Sequence, residues 1–384
     1  MTSVKKYIPP LIGLALLSCL TLSKNTTNEK YLNPDSTTTI TLSFVGDLMC
    51  HSPQFKNAQL AEDSFDFNPS FQEVKNYLTT ADFTIGNLET TCAGKKSGYT
   101  GYPNFNTPDA FITALKNAGF DFLVTANNHS MDTGEKGLLR TIDIIKKNNL
   151  GYTGTFTSKE DHDSIRVIAI KGIRLSILNY TYGTNGLYPS QENSYMLNII
   201  DTTTIEHDIQ QARYKGAEIV IVYYHFGIEN NREPTADQEK LVEQTQNYGA
   251  DLIIGAHPHV INRCSFFKTN QAKLDSGFVA YSLGNFISNQ YWRYADAGVI
   301  LTIALTKKIQ TDSIFISEVN FIPTWVYRGT DEKNKMHIIL PAKYHTYDSL
   351  PAFISTESKN KMKQAWEDTH EILQNPSPKI RLNK

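Results

Sequence analysis

The chain has 384 residues, 40% of them hydrophobic and 20% charged, which is enough to bury a large core and too apolar for a disordered polymer. Its 37 Lys and Arg against 39 Asp and Glu leave a net charge of −2. That balance excludes the strong positive field of a nucleic-acid binder, and no nucleic-acid partner is expected. Twenty Tyr and nineteen Phe supply large area to a β-rich core and would also suit carbohydrate-facing surfaces.

Lys5 and Lys6 precede an apolar run from Ile8 to Leu17, followed by Ser18 and Cys19. A basic start and a run too short to span a bilayer comfortably predict a secretory signal. Leu16-Leu17-Ser18-Cys19 resembles a bacterial lipobox. Residues 1–18 are therefore expected to be a lipoprotein signal peptide and Cys19 the lipidated first residue, holding the protein to a membrane on the extracytoplasmic side of the cell envelope. The polar stretch 19–38 reads as a flexible tether. A folded domain is expected over 39–325 and a C-terminal extension over 326–384. With Cys19 acylated, Cys50, Cys92 and Cys264 remain, an odd number that excludes a complete disulfide framework. One pair stays open, and buried apolar thiols are the simpler reading.

Along the domain, strand and helix patterns alternate. Ile40–Val45, Ala81–Ile85 and Asp121–Ala126 read as buried strands, and Pro108–Ala118 and Gly134–Asn148 as helices. Ser164–Ile170 and Arg174–Asn179 flank a turn at Lys171-Gly172. A helix over Thr203–Tyr214 leads to the strand Glu218–Tyr224. Another over Thr235–Tyr248 leads to Asp251–Gly255. Gly277–Ser282, Gly298–Leu305 and Ser313–Ile322 are further strands, and Thr356–Leu373 is a last helix. Apolar strands alternating with helices predict an α/β fold with covered sheets.

Five of these strands run directly into residues of metal-ligand type. They are Gly46-Asp47, Gly86-Asn87-Leu88-Glu89, Asn127-Asn128-His129, His225-Phe226-Gly227-Ile228-Glu229 and Gly255-Ala256-His257-Pro258-His259. Ligands of α/β sheets gather beyond the carboxyl ends of strands, so these segments should meet. Any one of them alone has a structural explanation: Asp47 as a helix cap, or His225 as a core histidine. His257 and His259 are the sharpest, since two imidazoles two apart beyond a buried strand can reach neighbouring ions. Mixed nitrogen and oxygen donors suit Zn, Mn or Fe better than Ca. A sixth segment, Ser282-Leu283-Gly284-Asn285-Phe286, repeats the strand-to-Gly-Asn form and could wall the site.

In this order the six segments resemble the bacterial capsule-synthesis (CapA/PgsA) family of the calcineurin-like metallophosphoesterase superfamily, over about Ile40 to Ile322. The resemblance implies a four-layer sandwich of two mixed β-sheets flanked by helices, and a site for two divalent ions. It implies Asp47, Glu89, Asn128, His225, His257 and His259 as metal ligands, with Glu89 where the superfamily has its bridging Asp. His129 would be catalytic, steadying a phosphoryl oxygen or leaving group, and Asn127, Glu229 and Asn285 would contact substrate. The superfamily's first motif is Asp-x-His, whereas Met49 stands two residues after Asp47. The nearest imidazole is His51, a further candidate ligand, and otherwise the first ion is one donor short. The implied activity is hydrolysis of a phosphoester or related bond in making or exporting poly-γ-glutamate, capsule or another surface polymer. The implied partners are that anionic polymer or its precursor and capsule synthesis or export proteins. The same cleft would also serve a non-catalytic polyanion-binding assembly factor or a metal-dependent amide hydrolase.

Overall fold

A computed structural model describes Met1 and residues 36–269, 271–329, 335–373 and 380–382. Cys19, the signal-peptide reading beyond Met1 and the tether up to residue 35 lie outside the described residues. In chain order the strands are β1 (Thr37–Leu48), a short hairpin of β2 (Gln59–Ala61) and β3 (Ser64–Phe65), β4 (Phe83–Leu88), β5 (Phe122–Val124), β6 (Gly151–Thr153), β7 (Ile168–Ile170), β8 (Ile173–Thr181) and β9 (Ile219–His225). They continue as β10 (Leu252–Ala256), β11 (Cys264–Lys268), β12 (Ser276–Ala280), β13 (Asn285–Ile287), β14 (Ala297–Lys308), β15 (Ile314–Arg328), β16 (His337–Pro341) and β17 (Ile380–Leu382).

Two large sheets result. One has nine strands in the order β16-β15-β14-β1-β4-β5-β6, with β13 pairing β1 and β17 pairing β15. The other has six, in the order β11-β12-β10-β9-β8-β7. Both are mixed. In the first, β1, β4, β5 and β6 run parallel; in the second, β8, β9, β10 and β12 do, with antiparallel partners outside them. Parallel strands are covered on both faces, which is why β9 and β10 are unbroken apolar runs.

The two sheets pack face to face through Ile40, Leu42 and Phe44 on one side and Ile221, Tyr223 and Ile254 on the other. The outer face of the larger sheet carries helices Ala110–Ala118 and Gly134–Lys147. In the second helix Leu138, Ile142 and Ile145 recur at helical spacing and are buried. The outer face of the smaller sheet carries Thr202–Tyr214 and Ala236–Asn247, through Ile205, Ile209, Leu241 and Val242. Thr235 starts that last helix with a capping box to Gln238. Each buried Leu, Ile or Phe contributes roughly 1.5–3 kcal/mol, so these stripes hold the four layers together. The expected sandwich of two mixed sheets flanked by helices is what forms. Helix Thr356–Leu373 adds Met362 and Ala365 to a cluster with Trp325 and Leu340, so the C-terminal region packs on the edge of the larger sheet. No helix among the described residues is long and apolar enough to cross a membrane. Cys50, Cys92 and Cys264 are free and buried.

Candidate metal centre

Because the central strands of both sheets are parallel, their carboxyl ends open on one edge. Asp47 lies near the end of β1 and pairs in register with Asn87 of β4, while His225 ends β9 opposite Ala256 of β10. Glu89 follows β4, Asn127-Asn128-His129 follow β5, and His257 and His259 follow β10. Gly46 permits a close approach here: a Cβ on it would sit 1.8 Å from the carbonyl oxygen of Gly284, which accepts from the Asp47 amide at 3.0 Å. His257 and His259, on either side of Pro258, both have positive φ, at 95° and 59°. Such values are costly for side chains with a Cβ and are held only where the surroundings enforce them.

The side chains converge. Asp47 Oδ2 lies 2.8 Å from His259 Nδ1, and Asp47 Oδ1 accepts from Asn87 Nδ2 at 2.8 Å. His225 places Nε2 2.9 Å from Asn128 Oδ1 and Nδ1 3.3 Å from Asn87 Nδ2. The Oε1 atom of Glu89 stands 3.6 Å from His225 Nε2 and 3.7 Å from His259 Nε2. Tyr182 covers the imidazoles, its ring centroid 4.7 Å from that of His257. His129 is held separately, with Nδ1 2.8 Å from Asp132 Oδ2 and its ring edge-on to Phe105.

Burial dominates the electrostatics. It pushes the Glu89 carboxyl well above the ordinary carboxylate range, and the neighbouring Asp47 charge pushes it further. It holds His225 well below the usual imidazole range, and lowers His257 to about 3 with help from His259. These imidazoles are neutral, the form that binds a metal. Among the described residues no lysine or arginine pairs with Asp47, Glu89, Asp132 or Glu229. Two adjacent buried carboxyl groups thus lack any lysine or arginine partner, and a carboxylate buried without a compensating charge costs several kcal/mol.

Two buried atoms test whether a cation fits. Glu89 Oε1 and His257 Nδ1 have no hydrogen-bond partner. The gaps of 3.6 and 3.7 Å from Glu89 Oε1 to two imidazole nitrogens are too long for hydrogen bonds. They match the roughly 3.4 Å between two donors each about 2.1 Å from a tetrahedral ion. Ligand atoms lie within 4.8 Å of one another in three sets: Glu89, His225 and His257; Asp47, Glu89 and His259; Glu229, His257 and His259. The residues fit divalent metal, and Glu89 belongs to two of the sets. The Asn128 oxygen shares the His225 Nε2 proton; the same two atoms become a ligand pair when a cation replaces that proton.

Of the ligands expected from sequence, Asp47, Glu89, Asn128, His225, His257 and His259 all come together. His51 does not join a set. Its Nδ1 faces Gln54 and the amide of Asn289, both at 3.3 Å, and burial lowers its pKa to about 4. Asn127, expected to touch substrate, is fully buried. Its amide donates to the Leu88 carbonyl at 2.7 Å and its Oδ1 accepts from the His129 amide, so it shapes the loop that carries His129. Asn285 sits in register with Asp47, with Nδ2 bonded to Gln290 and Ala295 and Oδ1 buried without a partner. Glu229 is exposed at the mouth, beside His257 and His259. Two residues had no expected role. Asn87 links Asp47 to His225, and its place in the Gly-Asn-Leu-Glu segment was the available signal. Tyr182 follows β8, and the rule that picked out the other strand ends would have found it there.

Residues 41–290 match the family model described as bacterial capsule synthesis protein PGA_cap. The chain is 30% identical over 270 residues to the capsule biosynthesis protein CapA of Bacillus anthracis, covering 68% of this chain and 63% of that one. It is 29% identical over 266 residues to the PGA biosynthesis protein CapA of Bacillus subtilis (strain 168), covering 68% and 67%. It therefore spans about two thirds of the length of the curated relatives it matches. Similar solved structures include the NAD nucleotidase NadN of Haemophilus influenzae, at 13% identity and TM-score 0.47 over 91% of this chain and 64% of that one. Another is the calcineurin-like phosphoesterase YfkN of Bacillus subtilis, at 12% identity and TM-score 0.42 over 87% and 99%.

Proposed function

The chain belongs to the bacterial capsule synthesis protein family, and from that premise we propose that it is a metal-dependent hydrolase of a phosphoester or related bond in a surface polymer or its precursor. The observation that carries the reading is Glu89, a buried carboxylate shared by two ligand sets, with one oxygen unpartnered between the imidazoles of His225 and His259. Two divalent ions are proposed, one held by Asp47, Glu89 and His259 and the other by Glu89, Asn128, His225 and His257. Mn, Zn and Fe suit these donors. Such ions supply Lewis acidity and an activated water for in-line displacement at a phosphoester.

The chain's own residues do the rest. Neutral His225 and His257 keep lone pairs for coordination, and Asp47 fixes the tautomer of His259 by accepting from its Nδ1. Asp132 does the same for His129, whose Nε2 is then free to meet a phosphoryl or leaving-group oxygen. Kinship with proteins named for capsule and PGA biosynthesis favours an anionic surface polymer as the substrate, with capsule synthesis or export proteins as partners. A lipidated Cys19 would keep the domain at the extracytoplasmic membrane surface where such a polymer is handled.

The test is elemental analysis of the purified folded protein together with hydrolysis of bis-p-nitrophenyl phosphate. The expected result is more than one transition metal per chain and metal-dependent turnover, both lost when His257 and His259 become Ala. A fully loaded protein inert towards every phosphoester would overturn the phosphoester reading.

A further inference from the structure

Met49 holds the place of the imidazole in an Asp-x-His motif, two residues beyond Asp47. Two residues along an extended segment point the same way, so Met49 should share the face of Asp47. Its packing agrees. Met49 is buried, yet it belongs to none of the four apolar clusters, whereas its neighbours Leu48 and Cys50 both sit in the core outside the larger sheet. A thioether in that place is a poor donor for an ion otherwise held by carboxylate and imidazole. His51 does not replace it, because its ring nitrogens belong to none of the three ligand sets.

Glu229 is placed to do so. Its carboxylate comes within 4.8 Å of ligand atoms of both His257 and His259, and His259 is also the imidazole of the Asp47–Glu89 set. Gly227, at φ 105°, turns the chain after β9 back over the strand end, and the amide of Asn230 donates to the Pro258 carbonyl at 2.8 Å. The loop carrying Glu229 is thereby tied to the turn carrying both imidazoles. No lysine or arginine among the described residues pairs with Glu229, whose carboxylate faces His257 and His259. An acid without a lysine or arginine partner, set beside two imidazoles, is placed to meet a cation.

We propose that Glu229 is a metal ligand, supplying from the solvent side of the His257–Pro258–His259 turn the donor that Met49 does not. This rests on the metal-centre reading above. It also gives the His225-Phe226-Gly227-Ile228-Glu229 segment a second ligand, in place of the substrate contact expected of Glu229. The protein would keep its full donor count with one imidazole exchanged for a carboxylate, making the first ion harder and more anionic in its surroundings.

The experiment measures Mn(II) binding to the full chain, by elemental analysis and by electron paramagnetic resonance at fixed free Mn(II). It uses the wild type, Glu229→Gln, Met49→His and the double variant. Glu229 is exposed, so Glu229→Gln should fold, and circular dichroism checks this. The expected result is that Glu229→Gln weakens one of the bound ions at least tenfold and leaves the other unchanged. Adding Met49→His, which restores Asp-x-His, should recover most of that loss. Wild-type stoichiometry and affinity in Glu229→Gln would overturn the proposal, as would a loss that Met49→His does not restore. A folded wild type that binds no metal would overturn the metal-centre reading itself, and this proposal with it.

Discussion

His259 Nδ1 and Asp47 Oδ2 stand 2.8 Å apart although the two residues are separated by 212 positions in the chain. The contact joins the end of β1 in one sheet to the turn after β10 in the other. An ionised carboxylate only accepts, so Nδ1 is the donor of this pair and Nε2 is the ring nitrogen that faces Glu89. Asp47→Asn removes the charge and leaves an amide that can present either a donor or an acceptor to that nitrogen. Metal affinity should fall by about 10- to 100-fold, and the melting temperature gained on adding Mn(II) should shrink with it. Titration of the variant with Mn(II), followed by thermal unfolding, measures both, and an unchanged gain would contradict the role assigned to Asp47.

His129 and Asp132 form a unit that can be separated from the metal ligands. His129→Ala should lower phosphodiesterase turnover by roughly 10²- to 10⁴-fold while metal content stays at the wild-type value. Asp132→Asn should act in the same direction and less strongly, because it loosens the tautomer rather than removing the imidazole. Parallel loss of metal in either variant would show that the residue holds the centre and not the substrate.

Asp251 is a buried carboxylate far from the site. It accepts from the amides of Val220 at 2.7 Å and Leu274 at 3.1 Å, and it pairs with Arg213. Burial raises its pKa and the guanidinium opposes that rise. Arg213→Met leaves the carboxylate uncompensated and should destabilise the fold by about 3–5 kcal/mol. Arg213→Met with Asp251→Asn should recover part of the loss, since a neutral amide is less costly to bury. Urea unfolding of the two variants decides the matter.

His337 governs part of the acid response. Its pKa is pushed down to about 3 by burial, with the charges of Arg328 and His51 adding to the effect. The unfolded chain takes up its proton near pH 6.5, well above the folded value. Its contribution to stability is therefore intact above that pH and is lost as the pH falls towards the folded value, by up to about 1.4 kcal/mol per pH unit. His337→Phe should flatten stability against pH across this window. An identical slope in wild type and variant would remove His337 from the account.

Much of the site was legible because the rule that finds it is local. A strand reads as an apolar run, and the polar residues just beyond its end read as ligands, so Asp47, Glu89, Asn128, His225, His257 and His259 could be picked one segment at a time. Position beyond a strand does not tell which way a side chain points. Asn127 and Asn128 are adjacent and of the same type, yet one amide turns in to the Leu88 carbonyl and the other faces His225. His51 lay close enough in sequence to stand in for the absent imidazole, but it opens the helix Ser52–Ala58 with its Nδ1 at Gln54 and the amide of Asn289 and joins no ligand set.

Sequence by itself determined the two periodicities, the buried strands and the order of polar segments at their ends, since these depend on neighbours within a few residues. The tertiary structure alone decided that the carboxyl ends of β1, β4 and β5 in one sheet face those of β9 and β10 in the other. It also decided that Glu89 stands between two imidazoles and that Glu229 overhangs the turn of His257 and His259. The physical reason is that two sheets packed through Phe44 and Tyr223 lock distant segments into one register, which no property of either segment contains.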